Sequence, residues 1–179
     1  MQVCLTFPHT EKIIESFASD LGTDLRAYRN HVCRVLNYFL ALTEQQGPVP
    51  ELVLIAAAFH DIGIWTDKTF DYLEPSVRRA KAYLSSQGLM HMSAEVEAVI
   101  TEHHKIRAYR DHHEANVEAF RKADLVDVSL GLARFSLLPS FVRSVKAAFP
   151  NEGFHWRLVV LTARQLYRTP WRPLPMFHW

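Results

Sequence analysis

The stretch from Leu52 to Ile64, LVLIAAAFHDIGI, constrains this chain more than any other. An unbroken apolar run carries it into the interior, and an imidazole and a carboxylate then follow side by side. A helix that is apolar on every side is a buried helix. Burying His60 and Asp61 with it is costly unless both are paired or bind a metal. The reading is that the pair sits at the inner end of a buried helix, which Gly63 ends. Two more polar residues interrupt apolar helical lines, His31 upstream and Asp124 downstream. The four offer two nitrogen and two oxygen donors, and the expectation is that they close on one divalent metal ion.

The bulk properties narrow the class. A chain of 179 residues with 49% hydrophobic residues builds one domain with a substantial core and is not a disordered chain. The formal net charge of +1 gives no global pull toward nucleic acid or membrane. Cys4 and Cys33 make neither a disulfide framework nor a zinc knuckle. The N-terminal MQVCLTFPHTEKII lacks a basic region followed by an apolar block. The run from Leu52 to Phe59 is too short to span a bilayer. The expectation is a cytoplasmic protein with neither nucleic-acid nor membrane partner.

Helical signals follow one another along the chain. Thr10 caps a first helix with Ile13, Ile14 and Phe17 inside, and Gly22 ends it. Asp24 caps a second helix running to about Gln46, with Tyr28, Val32, Val35, Phe39 and Leu42 as its apolar line and His31 within it. Gly47-Pro48-Val49-Pro50 is a break. Beyond Ile64, the loop from Trp65 to Tyr72 is placed to roof a site. Pro75 suits the first turn of a helix that carries Val77, Ala80, Tyr83 and Leu84 and ends at Gln87-Gly88. Ser93 caps the next, which leads into Glu102-His103-His104 and a basic stretch, Lys105 to Arg110. A helix from about His112 to Gly131 lines up Val117, Phe120, Asp124, Asp127 and Val128 on one face. Pro139 opens another, and a last one runs from about Phe154 to Tyr167. An aromatic tail, Trp171, Phe177, His178 and Trp179, packs on the domain or on a second copy in a homodimer. There is no strand-length alternation. The expected fold is all-α, a single irregular bundle over residues 1–179. Its motif-bearing core spans about 24–131, and helices over 136–169 pack on that core.

Imidazole and carboxylate together, without thiolate, suit Mn, Mg, Fe, Co, Ni or Zn. Neighbouring side chains diverge by about 100° on an ideal helix, so His60 and Asp61 reach one ion most easily at a helix end. An incomplete protein shell leaves positions for water and substrate. A bound ion there lowers the pKa of water and polarises a phosphoryl oxygen, which points to hydrolysis of a phosphate ester or anhydride. Arg34, one turn from His31, and Lys68, Lys105, Arg107 and Arg110 are the cations placed to hold the phosphate.

His31, the doublet in His60-Asp61-Ile62-Gly63, and Asp124 in Ala123-Asp124-Leu125-Val126-Asp127 resemble the motif of the HD-domain superfamily of metal-dependent phosphohydrolases. The resemblance covers roughly Asn30 to Gly131. It implies an all-helical fold with the metal held by His31, His60, Asp61 and Asp124. The activities it implies are nucleotidase, phosphodiesterase or nucleoside-triphosphate hydrolysis. Nucleotidase-type members carry a glutamate where this chain has Ile64, which argues against a nucleoside monophosphate. Two-metal members carry additional histidines. His103 or His104 matches the later one, but the helix from Pro75 to Ser85 has arginines where the earlier one is expected and His91 is poorly spaced. One ion is therefore favoured over two.

Blander readings exist for each residue taken alone. His31 as a core histidine, His60-Asp61 as a helix-end pair and Asp124 as a partner of Arg121 each explain one position, but not all four in this order. Asp127 reads as a partner behind a ligand or as a salt-bridge residue. Glu102 and His103 read either as acid/base groups at the site or as a helix end. The leading expectation is hydrolysis of a small-molecule phosphate, a nucleotide among them. The alternatives are a di-iron oxygenase or nitrile-type hydratase at the same centre, or a non-catalytic ligand-binding module.

Overall fold

The computed structural model describes residues 2–43, 47–168, 171 and 176. The helices in order are α1 (Pro8–Glu15), α2 (Ala18–Leu21), α3 (Leu25–Leu42), α4 (Glu51–Phe59), α5 (Gly63–Thr66), α6 (Leu73–Ser86), α7 (Ser93–Glu102), α8 (Glu114–Val128), α9 (Pro139–Ala148) and α10 (Phe154–Arg168). Short 3-10 turns occupy Gly22–Asp24 and Met90–Met92. No strand occurs among the described residues, so the all-α expectation stands. Phe177, His178 and Trp179 of the expected aromatic tail lie outside them.

The core is built around α3 and α4. Helix α3 packs along α8, and α4 packs against α1, α6 and α7. From Val53 to Phe59 every residue of α4 but Leu54 is fully or almost fully buried. Each of its larger side chains contributes about 1.5–3 kcal/mol by leaving water. In α3, Tyr28, Val32, Val35, Leu36 and Phe39 are buried, and so are the polar Asn30, His31, Arg34 and Asn37. Buried polar groups in a helix need partners, and these decide where α3 can lie. Asn37, for example, accepts a hydrogen bond from the Cys4 N–H at 2.8 Å and donates to the Cys4 carbonyl at 3.0 Å.

Several helix boundaries differ from the sequence expectation for identifiable reasons. Helix α1 opens at Pro8, not at Thr10, because proline needs no donor in a first turn. The Thr10 hydroxyl instead donates to the Leu54 carbonyl at 3.0 Å and ties α1 to α4. Asp24 precedes α3 without capping it. Its carboxylate accepts the Trp65 indole N–H at 2.9 Å and pairs with Arg157 at 3.2 Å. The described part of α3 stops at Leu42, and Gln46 lies outside the described residues. Helix α8 ends at Val128, three residues before Gly131. There the Gly131 N–H bonds to the Val126 carbonyl at 2.7 Å and the Leu130 N–H to the Asp127 carbonyl at 2.9 Å, a Schellman closure.

The largest correction concerns Gly63. It does not end the buried helix. Helix α4 stops at Phe59, and His60, Asp61 and Ile62 form a tight turn from which α5 starts at Gly63. Short bonds from Ile62 N–H to Phe59 O at 3.1 Å and from Ile64 N–H to Asp61 O at 3.0 Å shape that turn. Glycine is required by close approach. A Cβ at position 63 would lie 2.6 Å from the Tyr72 carbonyl oxygen and 3.0 Å from Pro75 Cβ. The Gly63 N–H also donates to Ser76 Oγ at 3.0 Å, which pins the turn to α6. Gly63→Ala is expected to cost about 1–3 kcal/mol by overpacking, a fall in melting temperature of roughly 2–12 °C. Gly47→Ala, with no atom within 4 Å of its added Cβ, serves as the control and leaves thermal unfolding unchanged.

Candidate metal centre

Three imidazoles meet at the junction of α3, the turn after α4, and the end of α7. In each, Nδ1 is already engaged. The His60 Nδ1–H donates to the Ala57 carbonyl at 2.8 Å and the His103 Nδ1–H to the Ile100 carbonyl at 2.7 Å. The His31 Nδ1–H donates to Asp127 Oδ2 at 2.7 Å. These bonds engage each Nδ1 and turn each Nε2 toward the interior of the cluster. His31 Nε2 lies 3.0 Å from His60 Nε2. Two lone pairs facing at that distance repel unless a proton or a cation stands between them. Imidazoles held by the far nitrogen, with the near nitrogen free, are the usual arrangement of metal-ligating histidines.

Two carboxylates complete the cluster. Asp61 Oδ2 lies 3.7 Å from His31 Nε2 and 3.4 Å from His60 Nε2. Asp124 Oδ1 lies 3.6 Å from His31 Nε2 and 3.9 Å from His60 Nε2. Two donors each about 2.1 Å from one ion cannot be more than about 4.2 Å apart, and every one of these pairs passes. Asp61 Oδ1, Asp124 Oδ1 and His103 Nε2 are buried without a hydrogen-bond partner. Orphaned buried acceptors are costly, and cations bound at this cluster would satisfy them. The structure therefore brings His31, His60 and Asp61 together as a group that could hold a metal ion, with Asp124 Oδ1 beside both imidazoles.

The electrostatics distinguish the imidazoles: burial works against a charged His103, but the Asp61 and Asp124 carboxylates outweigh it and raise that group. Burial pushes His60 down to about 3, so its imidazole is neutral and able to ligate. Burial raises Asp124 to about 7 against the pull of His103 and His31. Burial also works against Asp61, but His60, His103 and His31 outweigh it and hold that carboxyl well below the usual range. Without a cation the pocket tolerates one carboxylate charge and resists the second. A divalent ion would neutralise both.

A second group of donors adjoins the first. His103 Nε2 lies 3.4 Å from Asp61 Oδ1, and His104 Nδ1 lies 3.7 Å from Asp124 Oδ2. Asp61, His103 and His104 are close enough to share an ion. Asp61 thus offers one oxygen to each group, an arrangement that spacing alone had weighed against. His103 faces this cluster, whereas Glu102 turns away and pairs with Lys105 at 3.0 Å.

Behind His31 stands a buried ionic chain. Asp127 accepts from His31 and from two arms of Arg34, Nε at 2.6 Å and Nη2 at 2.8 Å. The remaining Arg34 nitrogen donates to the carbonyls of Phe149 at 3.0 Å and Pro150 at 3.3 Å. Arg34 is 2% exposed. It was expected at the mouth as a phosphate cation, and the structure corrects this: its fork is consumed in anchoring Asp127. His31 and Arg34 bring Asp127 well below the usual carboxylate range although burial opposes them.

The other predicted phosphate cations lie apart from the cluster's interior. Lys68 and Arg107 are exposed on the loops after α5 and α7. Lys105 is half-buried beside the Tyr109 ring and Glu102. Three neighbours escaped the sequence reading. The Tyr28 hydroxyl donates to the Ala58 carbonyl at 2.9 Å, and its position three residues before His31 puts both on one helix face. The Tyr72 hydroxyl bonds His104 Nε2 at 2.6 Å. The Phe154 ring stacks on His31 at 4.0 Å between centroids. The first is signalled by spacing, but no helical spacing signals Tyr72 or Phe154, which arrive from other parts of the chain.

The HD domain family model matches residues 28–129, which contain all four predicted ligands, Asp127, and the His103-His104 pair. Neither a search of curated proteins nor one of solved structures found a significant match. With more than half of its length matched, the chain belongs to the HD-domain family.

Proposed function

We propose that this protein is a metal-dependent hydrolase of phosphate esters or anhydrides in small molecules. The observation that carries the reading is the buried group of His31, His60 and Asp61, close enough to share one ion, with Asp124 beside both imidazoles. His31, His60, Asp61 and Asp124 would hold the ion. Bound there, a divalent ion supplies Lewis acidity, lowering the pKa of water and polarising a phosphoryl oxygen. The chain's own contribution is orientation and charge. Ala57 and Asp127 fix the two imidazoles through their Nδ1 atoms. Tyr28, Phe120 and Phe154 pack around the histidine rings and keep bulk water out. His104, with 12% of its side chain accessible, marks the more open flank. Lys105 follows it directly, and Lys68 and Arg107 extend from neighbouring loops. These three are the cations we assign to the substrate phosphate, with Glu102 steering Lys105. Arg34 serves instead as a positioning residue.

The second group of donors favours a two-ion variant of the same reading, in which Asp61, His103 and His104 would hold the second ion. Titration with Mn, Fe, Co or Zn is expected to give two ions per chain, and His103→Ala one. A single ion in both proteins restores the mononuclear centre. Iron at both positions together with oxygen uptake would instead move the reaction to the oxygenase class.

Metal binding stabilises the native state by mass action. Adding a divalent ion to chelator-treated protein is therefore expected to raise its melting temperature. Phosphate release from a panel of phosphate esters and nucleotides should require the same ion. In His60→Ala and Asp61→Asn, both effects disappear while the far-ultraviolet dichroism stays helical. Turnover that survives in either variant removes the proposal.

Asp127→Asn is expected to weaken metal affinity by roughly 10–100-fold, the usual cost of losing a carboxylate behind a ligating histidine. Isothermal titration on the folded fraction measures this. An unchanged affinity would reduce Asp127 to a purely structural ion-pair partner of Arg34.

A further inference from the structure

The charge of this chain is unevenly placed. Residues 153–179 contain Arg157, Arg164, Arg168 and Arg172 and no acidic residue. All nineteen Asp and Glu therefore lie before residue 153, where sixteen Lys and Arg face them. The whole-chain balance of +1 conceals a C-terminal segment of formal charge +4 on a body of −3.

Helix α10 within that segment has two apolar sides. Phe154, Leu158 and Leu161, at i, i+4 and i+7, turn toward the core. Trp156, Val159, Ala163 and Leu166, at i, i+3, i+7 and i+10, line up on the outward side. Trp156 is 70% exposed, Val159 55% and Leu166 51%. Tyr167 and, beyond the helix, Trp171 are each 92% exposed. Arg157 and Arg164, seven residues apart, run along one flank of this stripe. Arg157 is held by Asp24, while Arg164 shares a shallow apolar groove with Val160, Ala163 and Tyr167.

We infer that the outward face of α10 is a docking surface for an anionic lipid bilayer, on which the helix lies flat. Three features select this occupant. Exposed Trp and Tyr beside arginine, with aliphatic residues between them, is the composition that settles at the headgroup boundary. The segment holds no acid, so nothing on it repels anionic headgroups. Pairing with a second copy through the same face would set arginine against arginine with no carboxylate on the helix to offset it. At 15 residues, α10 is too short to cross a bilayer, and no described helix is long and apolar enough to do so. The inference does not depend on the hydrolase reading, because binding is measured without turnover.

The test uses the full-length protein and sedimentation with vesicles. One set is phosphatidylcholine alone, and the other contains about one third phosphatidylglycerol. The protein is expected to sediment with the anionic set, more at about 0.05 M salt than at about 0.5 M. At about 1 kcal/mol per basic residue, Arg164→Glu changes the charge by two and should lower partitioning roughly thirtyfold. Trp156→Ser with Leu166→Ser should also weaken it. Neither variant alters phosphate release from a soluble substrate. Equal partitioning to both vesicle sets, none to either, or full binding by Arg164→Glu overturns the inference. So does a dimer in sedimentation velocity that Leu166→Ser dissociates.

Discussion

Everything at this centre depends on three imidazoles and two carboxylates being gathered inside an apolar core. Each histidine gives its Nδ1 hydrogen to a fixed acceptor, which turns its Nε2 inward. Lone pairs and carboxylates gathered in low dielectric repel one another, and in a purely structural core they would be selected against energetically. A cation reverses the sign of every one of these interactions. The same ion would join α3, the turn after α4, and α8, which are distant in sequence. Binding and folding are thereby coupled.

The surrounding packing serves that geometry. His60 and Asp61 sit in the tight turn after α4, with His60 still in helical backbone, and from there both reach the cluster. Gly63 lets the Tyr72 backbone close over the turn. Arg34 buries a full guanidinium to hold Asp127, whose carboxylate orients His31. Truncating one member of such a buried pair would leave the other uncompensated, at a cost of about 3–5 kcal/mol. The ionic chain thus links the stability of the α3–α8 contact to the aim of a single ligand.

Much of this was legible in the sequence because polar residues on apolar faces are conspicuous. His31 among Tyr28, Val32 and Val35, and Asp124 near Val117 and Phe120, stand out by helical spacing alone. What stayed hidden depends on tertiary contact. Nothing local distinguishes an Arg34 that reaches a surface phosphate from one buried against Asp127. Gly63 looks the same as a helix terminator and as a point of close approach. His103 and His104 read as a frayed helix end until α7 is packed against α4 and α8, which turns both rings toward Asp61 and Asp124. The excess of arginine at the C-terminus vanished into a whole-chain sum.

X-ray absorption at the metal edge of protein loaded with a single kind of ion tests the central claim most directly. The geometry described here predicts a first shell of nitrogen and oxygen at about 2.0–2.2 Å, with the outer-shell scattering of at least two imidazoles and no sulfur. A shell containing sulfur near 2.3 Å, or water oxygens without imidazole scattering, would contradict it.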